Sequence, residues 1–239
     1  VALAGKVDHD RCVRAVEKMT AGLRRGRRRS PRGVRADTGQ RGGVCGFREI
    51  EQTHVTLGFR VFGRRDPRRH ALKMMNAILG ENMSSRLFQV VRERRGMAYA
   101  IHSGCHLYSE TGALVVGMGL DARNLNAALS LVRRELLRLK EAKVSASELK
   151  RAREYVLGHL WLGLESTSNQ MMCVGDQLVS YGRLFAPEDI AARIAAVTEE
   201  QIRDVAVDVL SGASASLAIV SPPIAEKETA RAEGMVRDI

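Results

Sequence analysis

"SSRLFQVVRERRGMAYAIHS", residues 84–103, decides how this chain is read. Leu87, Val90, Val91 and Arg94 fall at helical spacing, which predicts a helix over residues 85–95. Gly96 stands where a left-handed C-terminal cap is wanted, a conformation that a residue without Cβ adopts at little cost. "AYAIHSGCHLY" then reads as a strand. The joint therefore sets Arg92 at a helix end and Tyr99 at a strand start, six residues between them. A cation in the last helical turn suits the helix dipole, and Arg94 and Arg95 share that benefit. Spacing alone is satisfied by a basic last turn beside a tyrosine at the sheet rim.

Downstream, "GALVVGMGL" makes a hairpin partner joined through "SETG". Residues 122–142 carry Leu125, Leu129, Val132, Leu136 and Leu139 on one stripe, with Arg133, Arg134, Glu135, Arg138 and Lys140 off it. "SASE" at 145–148 is a capping box, Ser145 with Glu148. It opens a long helix that runs towards Gly163, is interrupted by "ESTSN" and resumes to Tyr181. Helices are expected at 187–197 and 199–210, then a closing strand in "SASLAIVSPP" ended by Pro222 and Pro223. The tail, 224–239, is charged, lacks a sustained apolar stripe and is expected to be loose.

Upstream, "DPRRHALKMMNAILG" predicts a helix with Asp66 as cap, Pro67 at its first position and Gly80 at its close. Residues 43–62 read as strand, short polar interruption, strand, with Val55, Leu57, Phe59 and Val61 alternating along the second. A helix over 9–23 presents Val13, Val16, Met19 and Leu23 on one face. Val1 to Ala4 reads as a strand, Gly5 as a turn, and Asp8 or Asp10 as a helix cap. A strand at residue 1 implies that an upstream portion is missing. Runs of strands alternating with runs of helices give the α+β class, an antiparallel-rich sheet with helices packed on one face.

The 239 residues, 45% of them hydrophobic, suffice for a buried core. No apolar run approaches the roughly 18 residues of a membrane span. Cys12, Cys45, Cys105 and Cys173 are widely spaced with no C-x-x-C, which argues for a reducing, cytoplasmic setting and against a disulfide scaffold. The net charge of +11 is mostly local: residues 24–41 hold eight arginines against one aspartate, leaving only +4 for the rest. Without an aromatic residue to stack on bases, that segment reads as a solvated basic loop (24–42), and nucleic-acid binding through it is the lesser reading.

Among six histidines only His102 and His106 are close, as "HSGCH". An imidazole pair four apart meets one metal on a helix. On a strand the two stand about 13 Å apart, so no metal is assigned. There is no G-x-S-x-G elbow and no Walker-type phosphate loop, and "GVCGFRE" around Cys45 does not match a cysteine-protease signature.

"GENMSSRLFQVVRERRGMAYAIHS" resembles the second half of the insulinase/pitrilysin zinc peptidases, especially the short bacterial members related to mitochondrial processing peptidase. "VALAGKVDHD", "EQTHVTLGF", "LESTSNQM", "LVSYGR", "EDIAARIAAVTEEQIRDVA" and "LAIVSPP" follow the same order, so the resemblance covers about residues 1–222. It implies one domain over 1–223, with 1–23 a remnant of the connection between halves. It further implies that two α+β halves close like a clamshell around a chamber. The first half, or a partner subunit, would carry H-x-x-E-H and zinc. The second would supply Arg92 and Tyr99, the R-x6-Y pair, to bind a peptide substrate and stabilise its oxyanion. No metal ligand or cofactor is carried over to this chain, which is expected to be inactive alone. The alternative is a non-catalytic partner or structural subunit, as a homo- or heterodimer. Gln52 and His54 match "EQxH" of relatives, where they would line the chamber; core or sheet-edge positions are the simpler expectation.

Overall fold

Alternation along Thr53–Phe62 sends Val55, Leu57, Phe59 and Val61 to one side, all buried, and leaves His54 and Thr56 exposed on the other. That strand, β2, is the centre of a five-stranded sheet in the order β1-β5-β2-β4-β3. The remaining strands are β1 (Gly42–Phe47), β3 (Ala98–Leu107), β4 (Thr111–Leu120) and β5 (Ala215–Ser221). All neighbours run antiparallel except β1 and β5, which are parallel. The computed structural model describes residues 1–24, 26, 33, 42–211, 215–223, 231–232 and 234–235. The basic-loop reading of 24–42 falls largely outside them.

The helices are α1 (His9–Thr20), α2 (Arg69–Asn76), α3 (Leu125–Glu141), α4 (Ala146–Glu165), α5 (Thr167–Tyr181), α6 (Pro187–Ala195) and α7 (Glu199–Val209). Helices α2, α3, α4, α6 and α7 bury residues in the core on one face of the sheet, whereas α1 and α5 bury none. Leu72, Met74, Met75, Leu136, Leu139, Ile202 and Val205 complete a core with the inward residues of β2, β4 and β5. This is the α+β architecture with helices on one face. The Ser145–Glu148 capping box forms as read. Ser166 breaks the long helix into α4 and α5, its hydroxyl capping the second at Asn169.

Several local readings are corrected. Val1 to Ala4 makes no ladder; Val1 and Leu3 are exposed, and Ala2 lies against Gly175 of α5. An apolar run becomes a strand only where a sheet edge takes up its N–H and C=O groups. Helix α2 starts two residues later than Asp66 and Pro67 suggest, because the Asp66 carboxylate accepts the Arg68 amide (2.8 Å) and guanidinium (3.0 and 2.8 Å) and caps a turn instead. Glu135, read as off the apolar stripe, is buried, bracketed by Arg138 at 3.1 Å and Arg134 at 3.7 Å. Of the tail expected to be loose, Ala232 is buried and Met235 packs against the core; most of its other residues are not described.

The helix read over 85–95 is shorter and wound differently. After one ordinary turn from Arg86, Phe88–Glu93 is π-helical, as is Ala77–Glu81 after α2. A π turn holds one more residue than an α turn, and such turns are frequent at functional sites.

Candidate active site

The joint between the second π segment and β3 is closed by backbone hydrogen bonds. The Gly96 amide donates to the Arg92 carbonyl and the Met97 amide to the Val91 carbonyl, both at 2.9 Å. Gly96 is left-handed, with φ +58°. The closure resembles a Schellman cap in which both bonds reach one residue further back than usual, as the wide π turn requires. Leu87 and Val91, both fully buried, pin the apolar side of the segment to the core. Arg92 is left exposed, its guanidinium 4.8 Å from the centre of the Phe88 ring.

Tyr99 stands at an irregularity in the ladder. Ala98 pairs with Leu120 and Ala100 with Gly119, so Tyr99 is the extra residue of a β-bulge on the edge strand β3. Bulges re-aim side chains, and Tyr99 is 62% exposed. Arg123 lies within electrostatic reach of its phenol. Asp121, through a bidentate hydrogen bond (2.8 and 3.1 Å), chiefly sustains the Arg123 charge. Arg123 was not singled out in the sequence; its only local signal is the acidic cap two residues before it.

By register, Tyr99 borders a patch on the open face of the sheet. Ala100 pairs with Gly119, and Gly119 pairs with His54. An added Cβ at Gly119 would come within 3.2 Å of Gln52 Oε1, and one at Gly117 within 2.8 Å of the His102 ring. Gln52 and the two imidazoles therefore lie across bare backbone. His54 is exposed on this face, not in the core.

His102 and His106 are both exposed on β3, four strand residues apart. Among the described residues no group of three or more His, Cys, Asp or Glu side chains could hold a metal ion. A resident zinc does not fit this chain's described residues. All four cysteines are free. Burial pushes the Cys105 thiol up to about 12, which leaves it protonated and a poor nucleophile. No helix among the described residues is long and apolar enough to cross a membrane.

Residues 1–156 match the family described as peptidase M16 inactive domain. An uncharacterized zinc protease of Streptomyces coelicolor is 37% identical over 240 residues, covering 97% of this chain and 51% of the relative. One of Mycobacterium leprae is 34% identical over 234 residues, covering 96% and 52%. The chain spans about half the length of these curated relatives. Among solved structures, a protease from Helicobacter pylori superposes with a TM-score of 0.80 at 18% identity, covering 92% of this chain and 54% of that one. A peptidase M16 inactive domain from Pseudomonas fluorescens does so with a TM-score of 0.68 at 23% identity, covering 77% and 44%. The chain belongs to the peptidase M16 family, and the part of the family it matches is the inactive domain.

Proposed function

We propose that this chain is the non-zinc half of a cytoplasmic zinc-dependent endopeptidase that hydrolyses peptides inside a closed chamber. A second half, on the same polypeptide or a partner subunit, would hold the metal and with it supply the Lewis acid. Arg92 gives a charge-assisted hydrogen bond to a substrate carbonyl. The Tyr99 phenol, a neutral donor, stabilises the oxyanion formed when water adds to the scissile carbon. The observation that carries the reading is the exposure of both side chains on either side of the Gly96 joint in a chain matched to the M16 inactive domain. The open sheet face with Gln52, His54 and His102 supports its facing a chamber.

Alone, the chain is expected to cleave no peptide, because no group of its described residues could hold the metal that amide hydrolysis would use as Lewis acid. The test is a peptidase assay of the chain with added zinc, alone and combined with the zinc-bearing half. Cleavage only in the combination supports the reading. Chelator-sensitive cleavage by this chain alone overturns it. A combination that cleaves equally well with Arg92 and Tyr99 replaced leaves a structural subunit as the better description.

A further inference from the structure

Four arginines converge far from that joint. Arg65, in the turn after β2, and Arg69, at the start of α2, share a cleft of about 300 Å³ with Arg183 and Arg193, from the α5–α6 joint and α6. The rings of Tyr181 and Phe185 form its wall, set edge to face with centroids 5.2 Å apart. Arg69 lies over Tyr181 at 5.4 Å, and Arg183 and Arg193 over Phe185 at 4.6 and 5.9 Å. A guanidinium stacked on a ring keeps its N–H edge free for a further acceptor.

Among the described residues these charges have no ion-paired acidic partner. Among the described residues, ion pairs within 4.0 Å engage three nearby carboxylates elsewhere: Asp66 and Asp208 with Arg68, and Asp176 with Arg64; Asp204, which lines a neighbouring cavity with Arg193, forms no such pair. No such pair joins Arg65, Arg69, Arg183 or Arg193 to a carboxylate, although Asp189 stands four residues before Arg193 on α6. Arg65 spends one donor on the Ser180 carbonyl, at 3.0 Å. The local potential registers on His70 of α2: burial first, then Arg69 and Arg193, hold that imidazole down to about 4. Guanidinium groups cannot shed their protons to relieve the repulsion. An anion can.

We propose that this cleft is a binding site for a compact oligophosphate, a chain of two or three phosphate groups. A single carboxylate would offset one charge of four. Two or three phosphates bring roughly three to four, with oxygens that match the arginine fork. The site is separate from the Arg92–Tyr99 joint. Tyr99 borders the Thr53 end of β2, and the cleft follows its Phe62 end, about 30 Å away over ten residues.

The experiment is isothermal titration of the 239-residue chain with sodium tripolyphosphate, ATP and orthophosphate at about 0.15 M salt. The variants are Arg69→Gln/Arg193→Gln in the cleft and Arg27→Gln/Arg28→Gln/Arg29→Gln in the arginine-rich stretch 24–41. Saturable tripolyphosphate binding is expected, weakened about tenfold or more in the cleft variant and unchanged in the segment variant. Equal affinity for ATP assigns a nucleotide as the source, and preference for tripolyphosphate assigns the free chain. Circular dichroism checks the fold; if the double variant unfolds, exposed Arg183→Gln replaces it. No saturable binding, equal binding by the cleft variant, loss in the segment variant alone, or tighter binding of a single-stranded oligonucleotide each overturns the proposal.

Discussion

Arg86 holds both oxygens of Glu148, Nε to Oε1 at 2.8 Å and Nη2 to Oε2 at 3.0 Å. The same carboxylate accepts the Ser145 amide at 3.1 Å. One acidic group thus caps α4 and ties it to the first turn of the segment bearing Arg92. The Arg86 hydrogen bonds, with help from Ser145, hold the Glu148 carboxyl down to about 2 from an ordinary 4.5. A carboxyl depressed by folding contributes stability that is complete above its unfolded value and is lost as pH falls through its folded value. The contribution should therefore decline from pH 4.5 down through about 2. At neutral pH, Glu148→Gln should destabilise by about 1–3 kcal/mol, the order expected for hydrogen bonds to a charged, partly buried partner. Urea unfolding at about pH 6 and about pH 3 should show the gap between wild type and variant narrowing in acid. A constant gap would mean that the pair does not carry the linkage.

Arg92→Ala and Tyr99→Phe test the proposed site in the combination with the zinc-bearing half. Each should lower kcat/KM for peptide cleavage by about 10²–10³, the usual loss for one oxyanion donor, with the metal content of the assembly unchanged. Tyr99→Phe retains the ring, so packing at the bulge survives and the loss reports the hydroxyl. Near-normal turnover in both variants would remove the assignment.

Gly96→Ala addresses the joint without touching either side chain. An added Cβ there meets nothing within 4 Å, so crowding contributes nothing. The cost is the left-handed backbone, φ +58°, at about 1–2 kcal/mol. Asn at the same position should cost less, because its side chain tolerates that conformation better. Denaturant midpoints with unchanged slopes would separate the two; equal losses for Ala and Asn would contradict this account.

Gly80→Ala should be the more damaging substitution. A Cβ on Gly80 would stand 2.8 Å from the Ser103 amide nitrogen and 2.7 Å from its hydroxyl oxygen. That hydroxyl donates to Asn76 Oδ1 at 2.8 Å, and Asn76 Nδ2 donates to Glu81 Oε2 at 2.7 Å. The first π segment must move off β3 and open this network, an overpacking cost of about 1–3 kcal/mol or more. Thermal melts of Gly80→Ala and Gly96→Ala side by side give the ranking; a smaller shift for Gly80→Ala would show that the close approach relaxes freely.

What the sequence makes legible follows from how local each signal is. The alternation through Val55, Leu57, Phe59 and Val61, the Ser145–Glu148 box, the break at Ser166 and the cap at Gly96 each depend on residues within one or two turns. They are found where the pattern puts them. Arg92 and Tyr99 are singled out by the resemblance, which reveals neither the wide turn beneath the one nor the bulge beneath the other. Both irregularities depend on how many residues fit between anchors elsewhere in the fold. The cleft is illegible for a similar reason: Arg69 and Arg183 are 114 positions apart, and only the packing of α2 against α6 makes them neighbours. Val1 to Ala4 fails in the opposite sense, since its pattern suits a strand but no edge receives it.

The extra residue in Phe88–Glu93 has a consequence for the phase of the helix. Arg86 is moored to Glu148 at one end, and the Gly96 closure fixes the other. Wound as an ordinary α-helix, the same six steps from Arg86 to Arg92 would carry the second arginine about 100° further round relative to that mooring. A sequence could keep its arginine, its tyrosine and the six residues between them, and still aim the guanidinium at the wrong azimuth.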